Sequence, residues 1–223
     1  MNRLQSEQQR LYLMASPDPG RTRAMVLELA RPADWEALSQ VWRGVQLDLQ
    51  LPAPGIAVSG TDGMQLWFSL QAPVNVSRAA AFLVMLRSRY LAGIAPSRLQ
   101  ASPSTGTAWQ AQPVPAQQAG TENWSAFVAP DLAPVFADAP WLDIQPSADG
   151  QADLLARLQP IKQVAFDAAM QDAATGDIAG ELPTPSQAAD DVDPRSFLQR
   201  VLNDEAAPLA LRIEAAKALL PRH

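Results

Sequence analysis

The sequence predicts an α+β fold, in which an antiparallel or mixed sheet carries helices packed on it. Between residues 10 and 172, segments with an apolar period of two, typical of strands, alternate with segments of period three to four, typical of helices. Hydrophobic residues make up 48% of the 223 positions and charged residues 18%, so a sizeable core can form. We expect a core domain over residues 1–173, an acidic, proline-rich linker over 174–193 and a helical hairpin over 194–223.

The first third of the chain predicts two strands followed by a helix. Residues 4–11 indicate a helical or extended lead-in, and residues 10–15 (RLYLMA) are predicted as a strand. After a dense turn signal, residues 23–30 (RAMVLELA) form a second predicted strand with alternating apolar side chains. A helix over residues 34–49 follows, because its apolar positions recur at intervals of three and four.

The central segment, residues 55–70, predicts a β-hairpin. GIAVSG and MQLWFSL read as its strands, and Thr61, Asp62 and Gly63 join them with glycine at the turn position. In the second strand Gln65, Trp67 and Ser69 alternate with apolar residues. The hairpin therefore presents one polar and one apolar face.

The rest of the core predicts short elements separated by loops. A nearly apolar helix over residues 75–90 is expected to be deeply buried. Proline-rich loops follow. Within and after them we expect short strands at 98–101, 108–112, 124–128 and 141–144, and helices at 150–158 and 161–173.

Residue usage excludes several kinds of chemistry. Cysteine is absent, and the one histidine is His223 at the end of the chain. Disulfides, thiol catalysis, thiolate zinc sites and a serine–histidine–aspartate triad are therefore excluded. No apolar run approaches the roughly 18 residues of a membrane span, and no secretion signal is visible. We expect a cytoplasmic protein without a membrane partner.

Charge is distributed unevenly along the chain. Residues 1–110 carry ten arginines against seven acids, a net charge of +3, whereas residues 111–223 carry seven cations against sixteen acids, a net charge of −9. An acidic chain disfavours tight nonspecific binding to nucleic acid, because phosphate contacts need clustered cations. The basic first half leaves room for a local nucleic-acid groove.

The strand with Glu28, the following helix and the hairpin motif Ser59-Gly60-x-x-Gly63-x-x-Leu66-Trp67 resemble a known family. They are similar to the core of the archaeo-eukaryotic primase and primase-polymerase superfamily. The resemblance covers roughly residues 10–145 and implies an RRM-like fold with added elements. It also implies three motifs: two metal-binding acids one residue apart, a hairpin histidine that contacts the nucleotide, and a third acid on a later strand.

Mapped onto this sequence, those motifs are incomplete. Glu28 keeps the first acid, but Ala30 stands in place of the second and Gln65 in place of the histidine. The third acid falls on Asp131 or Asp143, and the sequence does not choose between them. Two-metal phosphoryl transfer needs several carboxylates around Mg²⁺ or Mn²⁺, so the resemblance implies that catalysis is lost.

Glu28, Ser59, Gln65 and Trp67 are the candidate residues of a ligand groove beside the hairpin. Simpler interpretations exist for two of them: Glu28 as an exposed acid on the solvent side of its strand, and Trp67 as a ring packed under a helix. Trp109 and Trp124, in a segment rich in glutamine and proline, are each either a base-stacking platform or a loop anchor.

The leading functional hypothesis is a non-catalytic primase-polymerase-like protein. It would bind single-stranded nucleic acid or nucleotide in replication or mobile-element biology, without a cofactor. One alternative is a divergent nucleotidyltransferase that uses Mg²⁺ or Mn²⁺ on Glu28, Asp131 and Asp143. The other is an interaction scaffold that binds a protein partner, or a second copy, through residues 194–223. Those residues are similar to a helical segment of phage DNA-packaging proteins.

Overall fold

A computed structural model describes residues 2–14, 18, 20–104 and 109–180, with side chains described as far as residue 171. The chain divides into two compact units, Met1–Ile178 and Ala179–His223. The first unit confirms the α+β class. The predicted hairpin of residues 194–223 and the linker beyond residue 180 lie outside the described residues.

The described residues form one five-stranded sheet in which every strand pair is antiparallel. The spatial order is β4-β1-β3-β2-β5. The strands are β1 (Arg21–Ala30), β2 (Gly55–Val58), β3 (Gly63–Asn75), β4 (Leu99–Ser102) and β5 (Ala126–Val128). The β2–β3 pair is the hairpin that the sequence predicts, with β3 extended to Asn75.

Helices cover both faces of this sheet. They are α1 (Arg3–Leu11), α2 (Trp35–Leu47), α3 (Val76–Tyr90), α4 (Ala148–Ala156) and α5 (Gln163–Gly180). The side chain of Asp34 accepts a hydrogen bond from the backbone N–H of Ala37 and so caps the start of α2. The predicted helices at 34–49, 75–90 and 150–158 are confirmed within a few residues of their ends.

The predicted strand at residues 10–15 is wrong, because α1 continues to Leu11. Asn2 forms a reciprocal capping box with Gln5, which starts the helix. Leu4, Gln8 and Leu11 are then buried on one helical face. The folded order is therefore α-β-α-β-β-α, not the β-β-α-β-β-α order that the sequence predicts.

Other predicted boundaries also shift. Helix α5 runs past residue 173 to Gly180, into the predicted linker, because its alanine-rich sequence favours helix. Residues 109–112 form no strand, and the predicted strand at 141–144 is reduced to one bridge between Leu142 and Trp124.

The sheet has two differently covered faces. Side chains alternate along β1, so Met25, Leu27 and Leu29 enter a large core with α2, α3 and α5, which we call the first face. Val26 and, across from it on β3, Trp67 point the other way and pack with residues of α1 and α4, on what we call the second face.

The outer edge of β5 is covered by one side chain of α4. Gln151 Oε1 accepts a hydrogen bond from the Phe127 N–H at 2.8 Å, and Gln151 Nε2 donates to the Phe127 carbonyl at 2.9 Å. Only 6% of Gln151 is exposed. The amide makes the two bonds that a sixth strand would make, and so protects the sheet edge.

Gln50, shortly after α2, adopts a left-handed backbone conformation. Gln50 has a φ of 53°, which disfavours any residue with a Cβ, and its Nε2 donates to the Leu47 carbonyl at 2.7 Å. We expect Gln50→Gly to be more stable to urea than Gln50→Ala by about 1 kcal/mol, since both lose the side-chain bond but only alanine keeps the left-handed cost. Equal unfolding midpoints for the two variants would contradict this assignment.

Candidate functional site

Three of the four predicted groove residues form a hydrogen-bonded chain on the second face. Glu28 of β1 and Gln65 of β3 are directly paired across the strands. Gln65 Nε2 donates to Glu28 Oε2 at 2.9 Å, and Trp67 Nε1 donates to Gln65 Oε1 at 2.8 Å. Because an indole N–H can only donate, the amide of Gln65 must turn its oxygen to Trp67 and its NH₂ to Glu28.

Glu28, at the end of this chain, is half-buried and not the fully exposed strand acid of the simpler interpretation. Burial raises the pKa of its carboxyl above the ordinary value of 4.5. The hydrogen bond from Gln65 opposes that rise in pKa, the nearby charge of Asp62 adds to it and the charge of Arg31 lowers it. The net result favours the protonated carboxyl more than in water.

Close packing around Glu28 depends on a glycine. Gly63 pairs with Ala30 at the start of β3, and a Cβ placed on Gly63 would lie 2.4 Å from Glu28 Oε1. The carboxyl therefore occupies the space that a side chain at position 63 would need. Ala30 is fully buried beside it.

Ser59, the fourth predicted groove residue, closes the hairpin turn. Its Oγ accepts hydrogen bonds from the backbone N–H groups of Thr61 at 3.1 Å and Gly63 at 3.0 Å. Only 8% of the residue is exposed. Ser59 is therefore bonded to Thr61 and Gly63, and its own oxygen is used by the turn.

Trp67 packs beneath α1 and α4, as its simpler interpretation predicts. Its ring meets Tyr12 edge-on with centroids 5.1 Å apart, and meets Phe127 at 5.7 Å. Tyr12 and Phe127 are themselves stacked at 5.8 Å. The sequence did not identify Tyr12 as part of this cluster, because the predicted strand at 10–15 hid its position at the end of α1.

The two alternatives for the third acid lie outside the strands. Asp131 follows β5 and lines a groove of about 330 Å³ with Trp42, Phe127 and Arg157. Asp143 is exposed and accepts a hydrogen bond from Trp141 Nε1 at 3.2 Å. Within the part of the chain that the structure describes, no three histidine or acidic side chains are grouped as a metal site. The choice between Asp131 and Asp143 stays open.

The raised pKa of Glu28 predicts a pH-dependent effect of the variant Glu28→Gln. A raised pKa in the folded state means that stability is lost as the pH rises from 4.5 through the folded pKa. Glutamine cannot ionise, so we expect the variant to gain stability relative to the unmodified protein as the pH rises above about 4.5.

Urea unfolding at several pH values measures this difference in the free energy of unfolding. Glu122→Gln, at an exposed loop position, is the matched control for removing one surface charge. A relative loss of stability in Glu28→Gln as the pH rises would show that the Glu28 carboxylate is favoured in the fold.

Comparison with known proteins assigns the chain to no family. No family model matches the sequence, and no curated protein matches it. Among the described residues, no helix is long and apolar enough to cross a membrane. Function must therefore be argued from the chain's own residues.

Proposed function

We propose that this protein is a non-catalytic relative of the primase-polymerase fold that binds single-stranded nucleic acid or nucleotide. Its role would be that of an accessory module in replication or mobile-element biology. One observation carries the proposal: Glu28 and Gln65, the positions of a motif acid and of the motif histidine, are paired neighbours on one face of an antiparallel sheet flanked by helices. The two residues are 37 positions apart in the chain and are joined by a hydrogen bond of 2.9 Å.

The chemistry of this pair favours binding over catalysis. A metal ligand must be ionised, whereas burial raises the pKa of Glu28 and its Oε2 is engaged by Gln65. Ala30 offers no oxygen ligand from its side chain, and two-metal transfer requires several carboxylates close together. A half-buried carboxyl that is already bonded to an amide therefore supports a binding role over a catalytic one.

Arginines provide positive charge at this end of the sheet. Arg31 is exposed just after β1, and its guanidinium donates to the Ser97 carbonyl at 2.8 Å. Arg98 donates to the Pro32 carbonyl at 2.8 Å and lies 3.8 Å from Asp34. Arg31 has no acidic partner within bonding distance among the described side chains, so its charge is the more available for a phosphate.

The test is binding of a fluorescent single-stranded oligonucleotide by the full chain, followed by anisotropy without metal at two salt concentrations. We expect binding that weakens with salt, weaker binding of the matching duplex, and lower affinity for Arg31→Gln. Arg78→Gln is the matched control, because Arg78 pairs with Asp167 between helices of the first face.

Two results would overturn the proposal. Extension of a primer by the purified protein with Mn²⁺ and nucleotides would show that the site is catalytic. Absence of binding to both single strands and free nucleotides would remove the proposed ligand class altogether.

A further inference from the structure

A second ligand-sized space lies at the opposite end of β1 from Glu28. It is a pocket of about 180 Å³ between the end of α1, the start of β1 and residues 109–111. Thr22 of β1 lines this pocket. Thr22 precedes Glu28 by six residues, and a strand rises about 3.3 Å per residue, so the pocket lies roughly 20 Å from Glu28. The pocket is therefore remote from Glu28, although Tyr12, which lines it, contacts the ring of Trp67.

Tyr12 gives this pocket a fixed aromatic wall. The Tyr12 ring is held by stacking on Phe127 and by the edge-on contact with Trp67. Arg23 also ties the end of α1 to the sheet, donating to the Arg10 carbonyl at 2.8 Å and to the Leu70 carbonyl at 3.1 Å. The position of Tyr12 is thus built into the fold before any ligand binds.

The pairing of β1 with β3 is irregular beside the pocket. The pairing with β3 shifts between Thr22 and Ala24, and Thr22 Oγ1 bonds both the N–H and the carbonyl of Ala24. Arg21 is exposed at the pocket, where its guanidinium makes one hydrogen bond, to the Pro73 carbonyl at 2.5 Å.

Residues 109 and 110 complete the pocket with two kinds of contact. Trp109 is half-buried against the second-face core, so its ring is anchored while it lines the pocket. Gln110 is exposed, and its amide has no hydrogen-bond partner among the described residues. An amide offers both a donor and an acceptor to a ligand edge.

Size and chemistry together identify the kind of ligand. A cavity of roughly 150 Å³ accommodates benzene, so a pocket of about 180 Å³ suits one planar ring system. A purely apolar ligand would leave the Gln110 amide and the Arg21 guanidinium unused, and a bare phosphate would leave Trp109 unused. Asp18 also lines the pocket, where its Oδ1 accepts from the Gly20 N–H at 2.8 Å and holds the turn before β1.

We propose that this pocket binds one nucleobase, stacked on Trp109, with its edge bound by Gln110 and its phosphate by Arg21. The inference rests on the proposed function and gives it a second point of contact, away from Glu28 and Gln65. The base comes either from a single strand or from a free nucleotide, and the ring and its phosphate are common to both.

The test measures binding of the full chain to a single-stranded oligonucleotide, to the same strand with abasic sites, and to a mononucleotide. Stacking of a base on an aromatic ring contributes about 1–3 kcal/mol, so we expect Trp109→Ala to lose about tenfold or more in affinity for the normal strand. Trp109→Phe should keep most of the affinity. The abasic strand should bind the unmodified protein and Trp109→Ala alike.

Two further variants keep the test decisive if Trp109→Ala fails to fold. Gln110→Ala removes only an exposed amide and should lose roughly two- to tenfold in affinity. Trp141→Ala, at another half-buried loop tryptophan, is the matched control and should bind as the unmodified protein does. Loss of affinity for the mononucleotide as well in Trp109→Ala would identify the free nucleotide as a ligand of the same pocket.

The outcomes separate the two proposals. The pocket assignment is wrong, and the proposed function stands, if the unmodified protein and Gln110→Ala bind the strand equally, a folded Trp109→Ala also loses no affinity, and the normal strand is not preferred over the abasic strand. If the unmodified protein binds neither strand nor nucleotide, the proposed function is wrong and this pocket's ligand with it.

Discussion

Replacing Gln151 by leucine is expected to lower the free energy of unfolding by about 2–5 kcal/mol, because the backbone N–H and C=O of Phe127 lose the hydrogen bonds that the Gln151 amide makes. Leucine is similar in size, so the packing of α4 on the second face is largely kept. Phe127 N–H and C=O then face an apolar side chain, where neither can bond.

Urea unfolding followed by circular dichroism measures the loss. Gln159→Leu, at an exposed position just beyond α4, is the matched control for the same chemical change. We also expect Gln151→Leu to associate as its concentration rises, since an uncovered sheet edge pairs with other chains. Unchanged stability in Gln151→Leu would show that water replaces the amide at no cost.

Replacing Gly60 by alanine is expected to destabilise the fold by about 2–4 kcal/mol, the sum of a left-handed backbone and a steric clash. Gly60 has a φ of 83°, and a Cβ there would lie 2.7 Å from the backbone nitrogen of Ser125. Backbone cannot move aside as a flexible side chain can. The segment leading into β5 must therefore shift away from the hairpin turn.

The chain offers a close control for this substitution. Gly120 has a φ of 79°, and among the described residues no heavy atom beyond its chain neighbours lies within 4 Å of a Cβ placed on it. Gly120→Ala therefore carries the backbone cost alone, about 1–2 kcal/mol. The difference between the two variants in thermal unfolding measures the contact between the hairpin and residues 124–125. Equal losses would mean that this contact is loose.

Local periodicity predicts most of the first-face architecture. The alternation of Met25, Leu27 and Leu29 identifies the buried face of β1, and the apolar repeats of α2 and α3 identify the helices on it. The pattern fails at residues 10–15, because over so short a segment the end of a helix and a strand can show the same order of apolar and polar residues. The capping box of Asn2 favours the helix, but it lies before residues 10–15, whose pattern alone predicts a strand.

The candidate site is predicted in part for the same reason. The hairpin and the alternation along β3 place Gln65 and Trp67 on one face, but the pairing of Glu28 with Gln65 depends on the register between β1 and β3. No local sequence pattern predicts the hydrogen bonds between Gln151 and Phe127 or between Arg10 and Leu158. The first pair is separated by 24 positions in the sequence and the second by 148, so only folding brings the partners together.

The chain from Trp67 through Gln65 to Glu28 also gives the protein an internal optical reporter. Indole emission responds to the charge around the ring, and the Trp67 N–H is two hydrogen bonds from a titrating carboxyl. Although Trp67 is one of six tryptophans, the emission difference between the protein and Glu28→Gln isolates its response. A pH-dependent shift in that difference spectrum reports the proton on Glu28 directly, without a label and without unfolding the chain.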